Sequence, residues 1–316
     1  MAIEQLSPEA DQIVVLINPK AGWRSREKRR NAFLSLLKQS EFHVTVSSDL
    51  SEACDLANRA FEKGTLRTIV GIGGDGTAAE LVNRTVPGVP FTLLPAGTAN
   101  LVSRHFRLPK SPAKAVAMIR QGRVCRFDAG NANGRLFLAV ASCGFDAEAV
   151  CRVHERRQQR NGRYAGYFSY VGPVLRLIAS YPYPEIRVTF GETSEAGPQE
   201  AVGRWAFVFN IPQYAWGLPL TPQAIGTDGL LDLCTLAKGG LFHGLRYVAF
   251  AQFAQHVRLS DCTLAAAQRF RITSEHDLAY QLDGDPGGRL PLEIEIVPDR
   301  VRLILPEKSP AAETKE

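Results

Sequence analysis

"GIGGDGTAAELVN" fills positions 71–83. The apolar run "TIVGI" (68–72) ends there, four glycines fall within positions 71–76 beside one aspartate, and a helical pattern follows. A strand that yields to glycines and then to a helix can bring its backbone close to an anion. Glycine lacks the Cβ that would hold a phosphate away, and it adopts φ values that other residues avoid. The helix start then offers unpaired N–H groups and the positive end of its dipole. Thr77 adds a hydroxyl. Asp75 is out of place beside a bare phosphate; it makes sense with a magnesium ion between them, or as a group that orients a hydroxyl. A tight strand-to-helix turn gives the same letters, because a glycine run alone is a weak signal, and the loop is neither GxxxxGK[ST] nor GxGxxG.

The flanking sequence alternates. "IVVLI" (13–17), "HVTVS" (43–47), "TIVGI" and "FTLLP" (91–95) read as strands. Between them, helices are expected over 25–39, over 51–64 with Ser51 as cap and Gly64 as stop, and from about Ala78. A further helix is expected over 111–122, with Ser111 at its cap, Pro112 in its first turn and Gly122 at its end. This order implies a doubly wound parallel sheet with helices on both faces. Two more loops, "INPKAG" (17–22) and "LPAGTAN" (94–100), share the sheet edge with the glycine loop, where open α/β sheets bind ligands.

After about Val124 the pattern becomes mainly antiparallel β and sandwich-like. Strands are read at "RLFLAVAS", "EIRVTFGE", "AVGRWAFVFNI", "GLLDLCTL", "RFRITS", "LAYQLDGD" and "LEIEIVP", with helical insertions near 148–180 and 240–256. Residues 1–124 are expected as the nucleotide domain, with about 298–316 packing back on it. Residues 125–297 are expected as the second domain, with an active site in a cleft between the two. The 316 residues are 45% hydrophobic and 22% charged, which excludes a disordered chain. The first residues show no signal peptide and no window suits a spanning helix, which fits a cytoplasmic protein. The six scattered cysteines form no CxxC pair, against a zinc site. The net charge of +5 suits a nucleotide or an acidic lipid surface as partner.

"NPKAG", "GGDGTAAELVN" and "PAGTANLVSRHFRLP" resemble, in order and spacing, the catalytic domain shared by diacylglycerol kinases, sphingosine and ceramide kinases and bacterial lipid kinases, with NAD kinases as more distant relatives. The likeness continues through "FDAGNANGRLFLAVASCGFDAEAV", "LTPQAIGTDGLLDL" and "YQLDGDPGGRLPLEIEIVPDRVRLILP". It implies ATP as co-substrate, Mg2+ as cofactor, and a lipid hydroxyl as acceptor at the inner face of the membrane. No nucleic-acid partner is implied, and a homodimer stays open. Asn18, Pro19, Lys20, Ala21 and Gly22, with Gly73, Gly74, Asp75, Gly76 and Thr77, would embrace the ATP phosphates, joined by Ser47, Glu80 and Thr98. Asp228 would hold a structural magnesium with carbonyls near Ile225 and Leu230, or only build a turn before a strand. Asp146 would meet the lipid headgroup, or cap the helix that follows it. Asp283 and Asp285, in "DGD", would act as base toward the lipid hydroxyl and position metal, with Asp75 as a further catalytic residue, or form a hairpin turn.

Two departures stand out. The family's DGE motif ends here in Asp285, and "NIPQYAWGLPL" (210–220) has one glycine where several are usual, near the acceptor side. Two basic stretches, Arg152, Arg156, Arg157, Arg160 and Arg163, and Trp23 with Arg24, Arg26, Lys28, Arg29 and Arg30, are expected to face anionic lipid or ATP, or to be solvated helix faces. An NAD kinase and a non-catalytic nucleotide or lipid sensor are the rival functions.

Overall fold

The computed structural model describes residues 3–18, 24–159, 177, 180–191, 197–214, 217–307 and 309, and their side chains except at 24–26 and 157–159. The chain forms two compact units, Met1–Ala129 with Pro298–Glu316, and Gly130–Val297. The break expected at 124 falls inside a strand that starts in the first unit, where Cys125 pairs with Ile3.

The first unit holds β1 (Ile3–Gln5), β2 (Gln12–Ile17), α1 (Arg24–Lys38), β3 (His43–Ser47), α2 (Leu50–Glu62), β4 (Leu66–Gly73), α3 (Asp75–Arg84), β5 (Pro90–Pro95), α4 (Leu101–His105), α5 (Pro112–Gln121) and the start of β6 (Arg123–Ala132). The parallel order is β5–β4–β2–β3. All eight residues of β4 are buried, as suits a parallel strand covered on both faces. Ile13, Val15, Phe33, Leu37, Val70, Ile72 and Ile119 share one core, and a large apolar side chain buried there contributes about 2 kcal/mol.

The caps differ in part from expectation. Asp49, not Ser51, caps α2: its carboxylate accepts the Glu52 N–H at 2.8 Å. Helix α3 begins at Asp75, on the glycine loop itself, rather than at Ala78. Helix α5 starts after Ser111 and ends at Gly122, whose φ of 64° needs no side chain. The buried Arg67 guanidinium donates to its last carbonyls, Ile119 O at 3.0 Å and Arg120 O at 2.6 Å.

The second unit holds the end of β6, then β7 (Arg135–Phe137), β8 (Val140–Gly144), α6 (Phe145–Gln159), β9 (Ile186–Phe190), β10 (Gln199–Gly203), β11 (Trp205–Phe209), β12 (Leu231–Leu236), α7 (Leu241–Ala251), β13 (Cys262–Ala267), β14 (Arg269–Thr273), β15 (Ala279–Leu282), β16 (Asp285–Arg289) and the start of β17 (Leu292–Ile304). One antiparallel sheet runs β13–β12–β11–β8–β15–β16; the other runs β10–β9–β14–β17. Ala141, Cys143, Val208 and Leu233 from the first meet Ile186, Val188, Ile272 and Ile294 from the second. The two faces make a sandwich core.

"AVGRWAFVFNI", expected as one strand, is two: β10 and β11 part at Arg204 and join different sheets. "RLFLAVAS" also splits, because the N–H groups of Leu138, Ala139 and Val140 turn onto the Asp283 carboxylate. The end of β17 returns to the first unit, where Arg302 and Leu303 pair in parallel with Pro90 and Phe91 of β5. No helix among the described residues is long and apolar enough to cross a membrane.

Candidate functional site

Beyond β2, β4 and β5, Asn18, the glycine loop and the start of the 95–100 loop come together. Asn18 Nδ2 donates to Thr77 Oγ1 at 3.0 Å, and Gly73 O accepts the Ala96 N–H at 2.7 Å. A Cβ built on Gly73 would stand 2.1 Å from Thr77 Oγ1, and one on Gly97 only 2.6 Å from the Gly74 Cα. Gly73 is therefore required by the Thr77 side chain, and Gly74 and Gly97 by the closeness of two backbones, apart from any ligand. Asn100, at a φ of 51°, holds Gly97 with both ends of its amide, at 2.9 and 2.8 Å. Gly97→Ala should lower stability by about 1–3 kcal/mol, because the atom it meets is backbone and cannot step aside. A thermal denaturation midpoint unchanged from the parent would contradict this contact.

Asp75 is buried and turned toward α4. Its carboxylate accepts the Val102 N–H at 3.2 Å, with the Leu101 and Asn100 amides also facing it. Burial raises its pKa, and the amides oppose that rise. The residue expected to orient a hydroxyl or hold metal thus ties the glycine loop to the next helix. Ser47 donates to Glu52 Oε2 at 2.5 Å and accepts the Asp49 N–H at 3.0 Å, so its hydroxyl serves the α2 cap. Glu80 pairs with Arg84 at 2.9 Å, one turn along α3. Gly76 lies in the first turn of α3. Pro19, Lys20, Ala21 and Gly22, with Trp23, lie outside the described residues.

Thr98 lines a groove of about 970 Å³ with Asn100, Arg104, Arg107, Lys110 and Lys114. The sequence reading passed over these four cations, although no acid interrupts them between positions 104 and 114. Glu307 also lines the groove, and the four cations outweigh it, so the groove concentrates an anionic ligand.

In the second unit, Asp283 and Gly284 are the two central residues of the β15–β16 hairpin, with φ of 51° and 87°. Positive φ at both positions is the turn for which Asp-Gly is favoured. The Asp283 carboxylate is buried. Its Oδ2 accepts the Leu138 N–H at 2.7 Å, and its Oδ1 accepts those of Ala139 and Val140 at 2.8 and 3.0 Å. Asp283 therefore fixes the chain between β7 and β8, and the hairpin reading of "DGD" holds. Asp285 is half-buried, and its carboxylate makes no hydrogen bond or ion pair among the described residues.

Gln281 joins this turn to Asp146. Its Oε1 accepts the Gly284 N–H at 2.7 Å; its Nε2 donates to Ser142 Oγ at 2.8 Å and Asp146 Oδ2 at 3.2 Å. The hydroxyls of Ser142 and Tyr214 also donate to the Asp146 carboxylate. Burial raises the Asp146 pKa against the pull of these donors. Asp146 does not cap α6; its side chain leaves the helix for this network. Tyr214 belongs to the glycine-poor 210–220 segment. Gln281 and Tyr214 carried no sequence signal, because neither type marks a motif by itself.

Asp228 lies apart from both clusters along the chain, in an exposed turn. Its carboxylate accepts the Leu230 N–H at 3.0 Å, and Ile225 O accepts from Thr227 at 2.6 Å and Asp228 at 3.3 Å. The turn alternative accounts for these contacts, and they leave Asp228 Oδ2 and lone-pair capacity on Ile225 O with which a cation could be held. Among the described residues no three His, Cys, Asp or Glu side chains gather to hold a metal. Nearby Asp232 is buried and its pKa is pushed up to about 6, by burial first and by Asp228 in addition. The native state therefore keeps a proton that the unfolded chain releases near pH 4. Stability should fall as pH rises from about 4 to about 6 and level off above. Denaturant midpoints across this range check it, and Asp232→Asn should flatten that part of the profile.

Of the basic stretches, Arg152 pairs with Glu148 at 2.8 Å and Arg30 with Glu27 at 3.3 Å, while Arg29 donates to Pro95 O. Arg160 and Arg163, and the side chains of Arg24, Arg26 and Arg157, lie outside the described residues.

Residues 12–132 match the model of the diacylglycerol kinase catalytic domain, and residues 139–305 match the YegS C-terminal NAD kinase beta sandwich-like domain. The second match spans more than half of the chain, which belongs to the family of that domain and carries a diacylglycerol kinase catalytic domain in its first part; it is a kinase. It is 28% identical to a diacylglycerol kinase of Mycobacterium tuberculosis, over 94% of this chain and 96% of that one. It is 26% identical to a "Probable lipid kinase YegS-like" of Serratia proteamaculans, over 95% and 96%. Among solved structures, a diacylglycerol kinase from Bacillus anthracis matches with a TM-score of 0.68 and 21% identity, over 94% and 98%. An NAD kinase from Archaeoglobus fulgidus in complex with ATP shares the fold at a TM-score of 0.52 and 14% identity, over 94% of each chain.

Proposed function

We propose that this protein transfers the γ-phosphoryl group of MgATP to a lipid hydroxyl, with a diacylglycerol-like acceptor first and a ceramide or sphingoid base second. The observation that carries the reading is the division of labour in the Asp283–Asp285 turn: one carboxylate fixes the loop, and the other has no partner among the described residues. The names of the relatives supply the acceptor class. Magnesium enters as part of the nucleotide substrate and neutralises charge on its phosphates.

In the first unit, Asn18, Thr77 and the start of α3 form the donor side, and the Arg104–Lys114 cations attract the triphosphate. In the second unit, Asp146, Ser142, Tyr214 and Gln281 form the polar end of the acceptor side, suited to a hydroxyl headgroup. Asp285 takes the proton of the attacking hydroxyl. The hydroxyl oxygen bonds to the γ-phosphorus, the bond to the bridging oxygen breaks, and ADP leaves. Asp75 keeps the glycine loop in place for the donor.

The test is transfer of label from γ-labelled ATP into a total lipid extract, with mass spectrometry of the product and NAD as a parallel acceptor. Labelled lipid is expected. Label in NAD alone would establish the NAD kinase, and ATP binding without any labelled product would establish the sensor.

A further inference from the structure

Helix α7 turns apolar side chains outward. Leu241, Phe242, Leu245, Val248 and Phe250 are exposed, and Phe253 and Val257 continue the row beyond its end; Phe242 and Phe253 are 76% and 78% exposed. Tyr247 and Ala251, on the other side, anchor the helix. Scattered apolar residues are normal on a surface, but a contiguous apolar face marks an interaction site.

The surroundings indicate what covers it. No Asp or Glu occurs between Asp232 and Asp261, whereas Lys238, Arg246 and Arg258 fall within that span. Arg246 pairs with Asp261 at 2.8 Å and lies over the Phe250 ring at 5.9 Å. An apolar helix face with a basic border and no acid on it is the composition of a helix lying in a membrane interface. A second copy fits less well. Self-association would bring like charges together, and a helix of 11 residues is short against the roughly 800 Å² per partner of a stable dimer.

We propose that the exposed face of α7 docks on an anionic bilayer, with Phe242 and Phe253 entering the headgroup boundary. Its purpose rests on the lipid-kinase reading, since a kinase of bilayer lipids must reach them there. Binding itself can be measured without turnover.

The experiment uses the full chain and phosphatidylcholine vesicles with and without phosphatidylglycerol. Phe242→Asp with Phe253→Asp should reduce co-sedimentation with the anionic vesicles about tenfold or more, leaving the thermal midpoint unchanged, because both positions are exposed. Phe242→Trp with Phe253→Trp should keep binding, since Trp suits the interface. Binding should also persist as salt rises, unlike adhesion through surface charge alone. Transfer to a short-chain diacylglycerol in detergent micelles should be the same in parent and Asp variant.

Vesicle binding by the Asp variant equal to the parent's, or none by the parent, would overturn the proposal. So would a dimer that the Asp pair splits while vesicle binding stays intact. If α7-dependent binding appears and no lipid is phosphorylated in any format, docking stands and the kinase reading fails.

Discussion

Asp283→Ala is expected to destabilise the β-rich unit by about 3–5 kcal/mol, because three buried backbone N–H groups lose their acceptor together. The N–H groups of Leu138, Ala139 and Val140 all rest on this carboxylate, and the chain between β7 and β8 loses its fixed point. An alanine at a φ of 51° adds about 1 kcal/mol of backbone strain. For a unit of this size the thermal midpoint should drop by roughly 10 °C or more. Asp283→Asn keeps one acceptor oxygen and tolerates the backbone, so its loss should be smaller. Turnover should fall in step with the folded fraction. An Asp283→Ala protein as stable as the parent but inactive would return this residue to direct chemistry.

Asp285→Asn should behave in the opposite way. Its carboxylate holds nothing in place among the described residues, so stability should change by no more than about 0.5 kcal/mol. Turnover with the lipid acceptor should fall about 10²–10⁴-fold, the usual range for losing a general base. ATP affinity should stay near the parent's, because the donor side belongs to the other unit. Steady-state kinetics beside a thermal melt checks all three. Near-normal turnover would show that the hydroxyl proton leaves by another route.

Much of the first unit was legible because its signals are local. The apolar run of β4, the Pro112 start and the Gly122 stop of α5 each follow from a few adjacent residues. Asp49 and Ser51 are both good cap residues two positions apart, so only the geometry decides between them. The second unit was harder to read. Asp283 and its amide partners are separated by 145 residues at Leu138, and nothing near "DGD" announces them. The same holds for Gln281 and Ser142, which become neighbours only once β15 pairs with β8. The hairpin and functional readings of "DGD" looked exclusive in sequence; in the structure Asp283 builds the turn and leaves Asp285 available.

The strand β17 has a consequence for how the protein is made. Its end covers the β5 side of the parallel sheet, and Thr92 reaches Ile304 across 212 residues. Arg300, just before, donates to Val82 O and Thr85 O at the end of α3. During synthesis the first four parallel strands emerge early, yet that edge must wait for residues made after the whole second unit. A nascent chain therefore carries an open, apolar sheet edge, which invites pairing with other chains. The glycine loop, rooted on β4 and α3, reaches its final support only when the last strand arrives, so a ribosome-stalled fragment should be a client of chaperones rather than an early kinase.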